Sequence, residues 1–131
     1  MMLFEYAHAT RQVFMDKPHP DGPIEWWMGD SRGHWDGDTL VVDVVHFTSE
    51  TWFDRAGNFH SEAMHLVERY TPTGPDHIRY TATIEDPNVF TRPWTMELTL
   101  YRQKDPNFQL LDYECYGFVL DEVPIEFPEG R

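Results

Sequence analysis

The fold of this chain turns on Trp26-Trp27-Met28-Gly29-Asp30-Ser31-Arg32-Gly33-His34-Trp35-Asp36-Gly37-Asp38-Thr39-Leu40-Val41-Val42-Asp43-Val44-Val45-His46-Phe47. An Asp-Gly pair between two extended stretches, the second rich in valine, is a strong local sign of a β-hairpin. With Asp36 and Gly37 as the two central turn residues, Trp35 is expected to face Asp38, His34 to face Thr39, Arg32 to face Val41 and Asp30 to face Asp43. Alternation places Trp27, Trp35, Leu40, Val42 and Val44 on one face, with Gly29, Ser31 and Gly33. Asp30, Arg32, His34 and Asp43 share the other with Met28, Val41, Val45 and Phe47. Opposed carboxylates repel, so one would hold a proton or bind a cation, with Arg32 near enough to neutralise them. The plainer alternative is a solvated outer face carrying an ordinary ion pair.

Working outward, ten prolines and eight glycines cut the chain into short pieces, which favours many strands over long helices. Residues 3–15 lack a helical stripe and read as one long strand. Residues 17–24, with Pro18, Pro20 and Pro23, read as a loop, and residues 48–63 as a second loop with room for a short helix. A second hairpin is expected over 65–85, closing through residues 71–76. A third is expected over 94–116, closing near Lys104-Asp105-Pro106-Asn107. Residues 118–131, with Pro124 and Pro128, read as a tail over the surface. About seven strands joined in order predict one all-β domain over 1–131: a small antiparallel meander forming a lipocalin-like barrel or a strongly curled sheet, with a two-sheet sandwich as the alternative.

The second hairpin carries the most suggestive chemistry. Alternation gathers Met64, Leu66, Glu68, Tyr70, Ile78, Tyr80, Ala82 and Ile84 on one face, which puts the Glu68 carboxylate among apolar and tyrosine side chains. In a barrel interior, desolvation would make Glu68 a proton donor or base near neutrality, with Tyr80 as its hydrogen-bonding neighbour. The structural alternative pairs a buried Glu68 with Arg32 or Arg92. On the third hairpin Trp94, Met96, Leu98 and Leu100 read as core, joined by Tyr113 and Cys115.

Composition narrows the function classes. The chain has 131 residues, 23 acidic against 10 basic, and a formal charge of −13. That balance opposes a nucleic-acid partner, since no basic stripe offsets it. No apolar run approaches the roughly 18 residues of a membrane-spanning helix. The single cysteine, Cys115, excludes an internal disulfide framework and a cysteine zinc site, and reads as a buried thiol. Leu3 enters a strand-like stretch almost at once and no export signal precedes it. A compact domain and the carboxy-terminal part of a longer, exported precursor both account for that start.

Seven histidines invite a metal hypothesis. His60, Glu62 and His65 are the candidate ligands, although their spacing matches no established zinc or calcium motif, so no cofactor is expected by default. The same loop suits acid–base chemistry: Asp54 and His60, separated by Gly57, could meet at a barrel mouth, with Arg92 holding an anionic group. There is no glycine-rich phosphate cradle and no nucleophile elbow.

Several strings together resemble a family of bacterial proteins of unknown function. They are Trp27-Met28-Gly29-Asp30-Ser31, Gly37-Asp38-Thr39-Leu40-Val41-Val42-Asp43, residues 52–63, Ile84-Glu85-Asp86-Pro87 and Thr91-Arg92-Pro93-Trp94. The resemblance spans residues 3–117. It implies a carboxy-terminal domain of a longer protein and carries no catalytic residue with it.

Two functions of different class follow from the residues. One is an enzyme, a lyase, isomerase or hydrolase acting on a small molecule in an aromatic-lined pocket. Glu68 and His60 with Asp54 would carry protons, Tyr80 would donate a hydrogen bond, and Arg92 or Arg32 would hold an anionic group. The other is a binding barrel for a sugar or aromatic ligand, with Trp26, Trp27, Trp35, Trp52 and Trp94 as stacking surfaces. A metal-dependent enzyme built on the histidine loop is a third reading; an interaction domain that packs against a partner or its own missing segment would follow from an exposed first strand, and a homo-oligomer stays open.

Overall fold

The hairpin around Gly37 forms, but its turn sits one residue further along than the Asp-Gly reading expects. In the computed structural model, which describes residues 1–111, Asp36 pairs with Thr39, leaving Gly37 and Asp38 as the central residues. Of these two only Gly37 has a positive φ, 60°. Placing glycine first is the type II′ solution, whereas a turn on Asp36 and Gly37 of type I′ needs positive φ at both. The slip changes who faces whom. Asp30 stands opposite Val45 and Arg32 opposite Asp43, so the two aspartates are not directly opposed. Moving the turn by one shifts every partner by two, so each side chain keeps its expected face.

The all-β expectation holds. Short strands β1 (Met2–Leu3) and β2 (Thr10–Arg11) form a two-stranded sheet. Six more form a second: β3 (Val13–Met15), β4 (Asp30–Asp36), β5 (Thr39–Val45), β6 (His65–Gly74), β7 (His77–Glu85) and β8 (Trp94–Tyr101). They lie in chain order, antiparallel except for the parallel β3–β4 pair. Among the described residues the sheet is not closed: β3 and β8 are its edges, so the meander is open rather than a closed barrel. A three-residue edge strand running parallel to its neighbour offers too short a ladder for closure.

Residues 3–15 are not one strand. Ala7 and His8 take left-handed φ values of 53° and 49°, and the chain folds back so that Phe4 N donates to Ala9 O at 2.9 Å. The loop over 48–63 forms no helix; it is pinned by an isolated bridge between Trp52 and Phe59. The second hairpin closes at Pro75 and Asp76, with a bulge between Pro72 and Gly74 that absorbs the proline in the ladder. The turn after β8 appears at Asp105, whose carbonyl accepts from Phe108 N at 3.1 Å. The returning arm with Tyr113 and Cys115, and the tail over 118–131, lie outside the described residues. No helix among the described residues is long and apolar enough to cross a membrane.

One face of the large sheet holds the core, built on Val42, Val44, Phe47, Met64, Ala82 and Ile84. Each fully buried aliphatic side chain of this size contributes about 1.5–3 kcal/mol. Gly29 admits the loop before β4 to this core: at its φ of 67°, a Cβ would come within 2.7 Å of Val44 and 2.8 Å of the Val45 carbonyl. That loop and residues 47–64 flank the core face and frame the clefts.

Candidate functional site

Glu68 lies on β6 between Val42 of β5 and Ala82 of β7, facing the core as its register requires. It is 3% exposed. Arg11 Nη2 donates to one carboxylate oxygen, Oε2. The other, Oε1, accepts from Tyr80 Oη at 2.8 Å and from Tyr70 Oη at 3.0 Å. Burial, reinforced by the Glu68 charge, pushes both tyrosine hydroxyls well above their ordinary range, so they remain donors at neutral pH.

The expected Tyr80 contact is present, while the expected arginine partner is different. Arg32 lies on the opposite face, where its Nε and Nη2 donate to Asp30 at 2.6 and 2.8 Å. Arg92 is exposed in the bend before β8. The actual partner, Arg11, was legible in one respect: Arg11, Val13 and Met15 alternate, which sets an arginine on an apolar face.

A cleft of about 290 Å³ opens beside this cluster. Trp27, Trp52, Phe53 and Met96 supply apolar walls, and Arg11, Thr51, His60 and Tyr80 supply the polar groups. Four expected site residues, His60, Tyr80, Trp27 and Trp52, therefore share one concavity. Trp27 and Trp52 are 66% and 76% exposed, so both offer open ring surface. Trp94 instead packs edge-on against Phe53 and Phe90, at centroid distances of 5.8 and 5.7 Å. Trp35, 63% exposed, does not line the cleft.

Within the cleft wall, His60 is 2% exposed and lies edge-on to Phe47. Its Nδ1 is 3.2 Å from the Ser61 carbonyl and its Nε2 is 2.7 Å from Thr51 Oγ1. A carbonyl only accepts, so Nδ1 carries the hydrogen and Nε2 accepts from the threonine hydroxyl. Ser61 is engaged too: its N–H and Oγ each donate to Asp86 at 2.7 Å. Burial opposes charge on Asp86, but hydrogen bonds from Ser61 and Asn88 outweigh it and hold the carboxyl below the usual range.

Asp54 and His60 do not meet. Gly57, at φ 82°, turns the loop back so that Asn58 Nδ2 and Ala56 N donate to Asp54 at 2.6 and 2.8 Å. The Asn58 side chain is the main reason that Asp54 lies below the ordinary carboxylate range. His60, Glu62 and His65 do not converge either, because His65 starts β6 with its ring on the face away from the core. Among the described residues no three His, Cys, Asp or Glu side chains are grouped to hold a metal ion.

The second face carries its own network. Pro18 and Pro20 present His19, whose Nδ1 lies 2.7 Å from Asp30 and whose Nε2 lies 2.8 Å from Asp43. The other Asp43 oxygen is 2.8 Å from His65 Nε2. Burial works against charge on Asp30, and the hydrogen bonds from Arg32 and His19 prevail, holding it below the ordinary value. Nothing in the local pattern singled out His19. A larger concavity, about 640 Å³, lies between β2 and this region and shares Arg11, Trp27 and Met28 with the first cleft; Trp26 and Arg32 also line it.

Compared with known proteins, the chain matches no family model, no curated protein and no solved structure.

Proposed function

We propose that the cleft between Trp27, Trp52 and Tyr80 binds a small, uncharged, partly aromatic molecule, with the Glu68 cluster as its fixed polar floor. The observation that carries this reading is the saturation of Glu68. A carboxylate that accepts from Arg11, Tyr70 and Tyr80 is held as an acceptor, which suits a rigid floor better than a proton carrier. Exposed indole faces beside it supply the contact area that aromatic ligands use. A ligand charge finds little support here, because Arg11 is already balanced by Glu68 and the chain as a whole is acidic.

Titrating the full chain with 2-naphthol and following tryptophan fluorescence tests the reading. Trp27→Ala and Trp52→Ala should each weaken binding by about three- to tenfold, the worth of one aromatic contact. Trp94→Ala should lower stability instead. Saturable binding that neither cleft variant alters, or no binding, would remove the cleft from the function.

The second reading is the acid–base enzyme, and one observation favours it: His60 Nε2 accepts from a hydroxyl in the cleft wall. In that reading the proton carrier is His60 and not Glu68. His60→Gln then costs at least about a hundredfold in turnover, and a variant that turns over like the parent would exclude His60 as the proton carrier.

A further inference from the structure

We propose that Thr51 and His60 form a nucleophile–base pair, and that the cleft hydrolyses small uncharged esters. This rests on the cleft being a ligand site. Three features meet here. Thr51 Oγ1 lies 2.7 Å from His60 Nε2, the distance at which a base takes a hydroxyl proton. The Ser61 carbonyl, 3.2 Å from Nδ1, fixes the tautomer that leaves Nε2 free to accept. Arg11, 9% exposed and lining the same cleft, has a buried Nε–H with no acceptor among the described residues. A buried donor without a partner calls for an acceptor, and an ester carbonyl oxygen supplies one.

The steps balance without a co-reactant other than water. Thr51 Oγ attacks the ester carbonyl carbon as its proton passes to His60 Nε2, forming a C–O bond and an oxyanion to which Arg11 Nε–H donates. The bond to the leaving alkoxide breaks, and His60 returns the proton to that oxygen. Water then attacks the acyl-threonine by the same route, His60 taking its proton and delivering it to Thr51 Oγ. The charged imidazolium formed in between lies within electrostatic reach of the Asp86 carboxylate. An ester uncharged on both sides is favoured, because the chain's formal charge of −13 opposes the approach of an added carboxylate.

The test uses the full chain with 4-nitrophenyl acetate as probe, free imidazole at equal concentration as the reference, and rapid acid quench before peptide mass analysis. The expected result is an acetyl group on the peptide containing Thr51 and turnover about a hundredfold above imidazole, a typical general-base contribution. Thr51→Val should remove that excess, and Thr51→Ser should retain it. The 4-nitrophenyl hemisuccinate ester, which carries a carboxylate, should react more slowly. Acetyl found only on lysines or other histidines, or a Thr51→Val chain as active as the parent, would overturn the proposal. The labelling needs no variant, so it decides the matter even where Thr51→Val fails to fold. A parent chain that binds 2-naphthol but shows no turnover above imidazole would reject the chemistry alone; a parent chain that does neither would reject the cleft.

Discussion

The sheet carries a polar network on each face, and the two are built on opposite terms. On the core face, Arg11, Glu68, Tyr70 and Tyr80 enclose one carboxylate with donors and shut it from water. On the other, Arg32, Asp30, His19, Asp43 and His65 form an open chain that becomes more exposed along its length, from a side-chain exposure of 5% at Asp30 to 40% at His65. The first network has a single cation, Arg11, and no replacement for it. The second is redundant, since Asp30 and Asp43 each have two partners. Electrostatic attraction is far stronger where water is excluded, and so is the penalty for a missing partner. The same charges therefore make a brittle centre on one face and a tolerant tether on the other.

Removing the cationic member of each network gives the largest contrast. Arg11→Met leaves Glu68 buried and short of its ion-pair partner, and should cost about 3–5 kcal/mol in chemical denaturation. Adding Glu68→Leu should recover most of that loss, because an apolar pair of similar volume does not need the charge. Arg32→Met should cost less, about 1–3 kcal/mol, since Asp30 keeps His19. Equal losses for the two arginines would break the comparison.

The tyrosines sharpen it from the alkaline side. Their folded pKa values are raised above the ordinary 10 of tyrosine, so the folded chain holds both protons more tightly than the unfolded chain. The stability they contribute is whole below pH 10 and declines as pH rises above it toward the folded values. Because both rings are only half-buried, the loss per pH unit should be about 1 kcal/mol or less. A Tyr70→Phe/Tyr80→Phe chain should be less stable at pH 8 and lose less between pH 10 and 11, as read from thermal melts. A double variant with the same alkaline decline as the parent would show that the hydroxyls near Glu68 do not titrate late.

How far the sequence anticipates this depends on the range of the interaction. Faces were legible, because alternation is local: Glu68 and Tyr80 meet as expected, and Asp30, Arg32 and Asp43 share the outer face even though the turn slipped. Pairings across distance were not. Arg11 reaches Glu68 from 57 positions away, and the choice between Arg11, Arg32 and Arg92 depended on a reversal at Ala7 and His8 that no proline or glycine marks. The Asp54–His60 pairing failed for a local reason: Asn58 captures the carboxylate first. His60 and Trp52, both singled out from sequence, line one cleft, while Thr51 was passed over because a threonine in a loop carries no chemical signal until its neighbour is known.

The smallest expected effect lies at the open end of the outer network. His65 touches Asp43 at 2.8 Å with about two-fifths of its side chain exposed, and Asp43 keeps His19 when His65 is removed. Exposed pairs of this kind contribute little, so His65→Gln should change stability by no more than about 1 kcal/mol. Whatever electrostatic part that change has should shrink in high salt, because a solvent-accessible contact is screened. Arg11→Met should respond weakly to the same salt, its pair being closed to ions. Measuring both variants at low and high salt thus separates the networks by mechanism as well as by size. A His65→Gln loss as large and as insensitive to salt as that of Arg11→Met would mean that the outer chain is shut from water too, and the distinction between the two faces would fall.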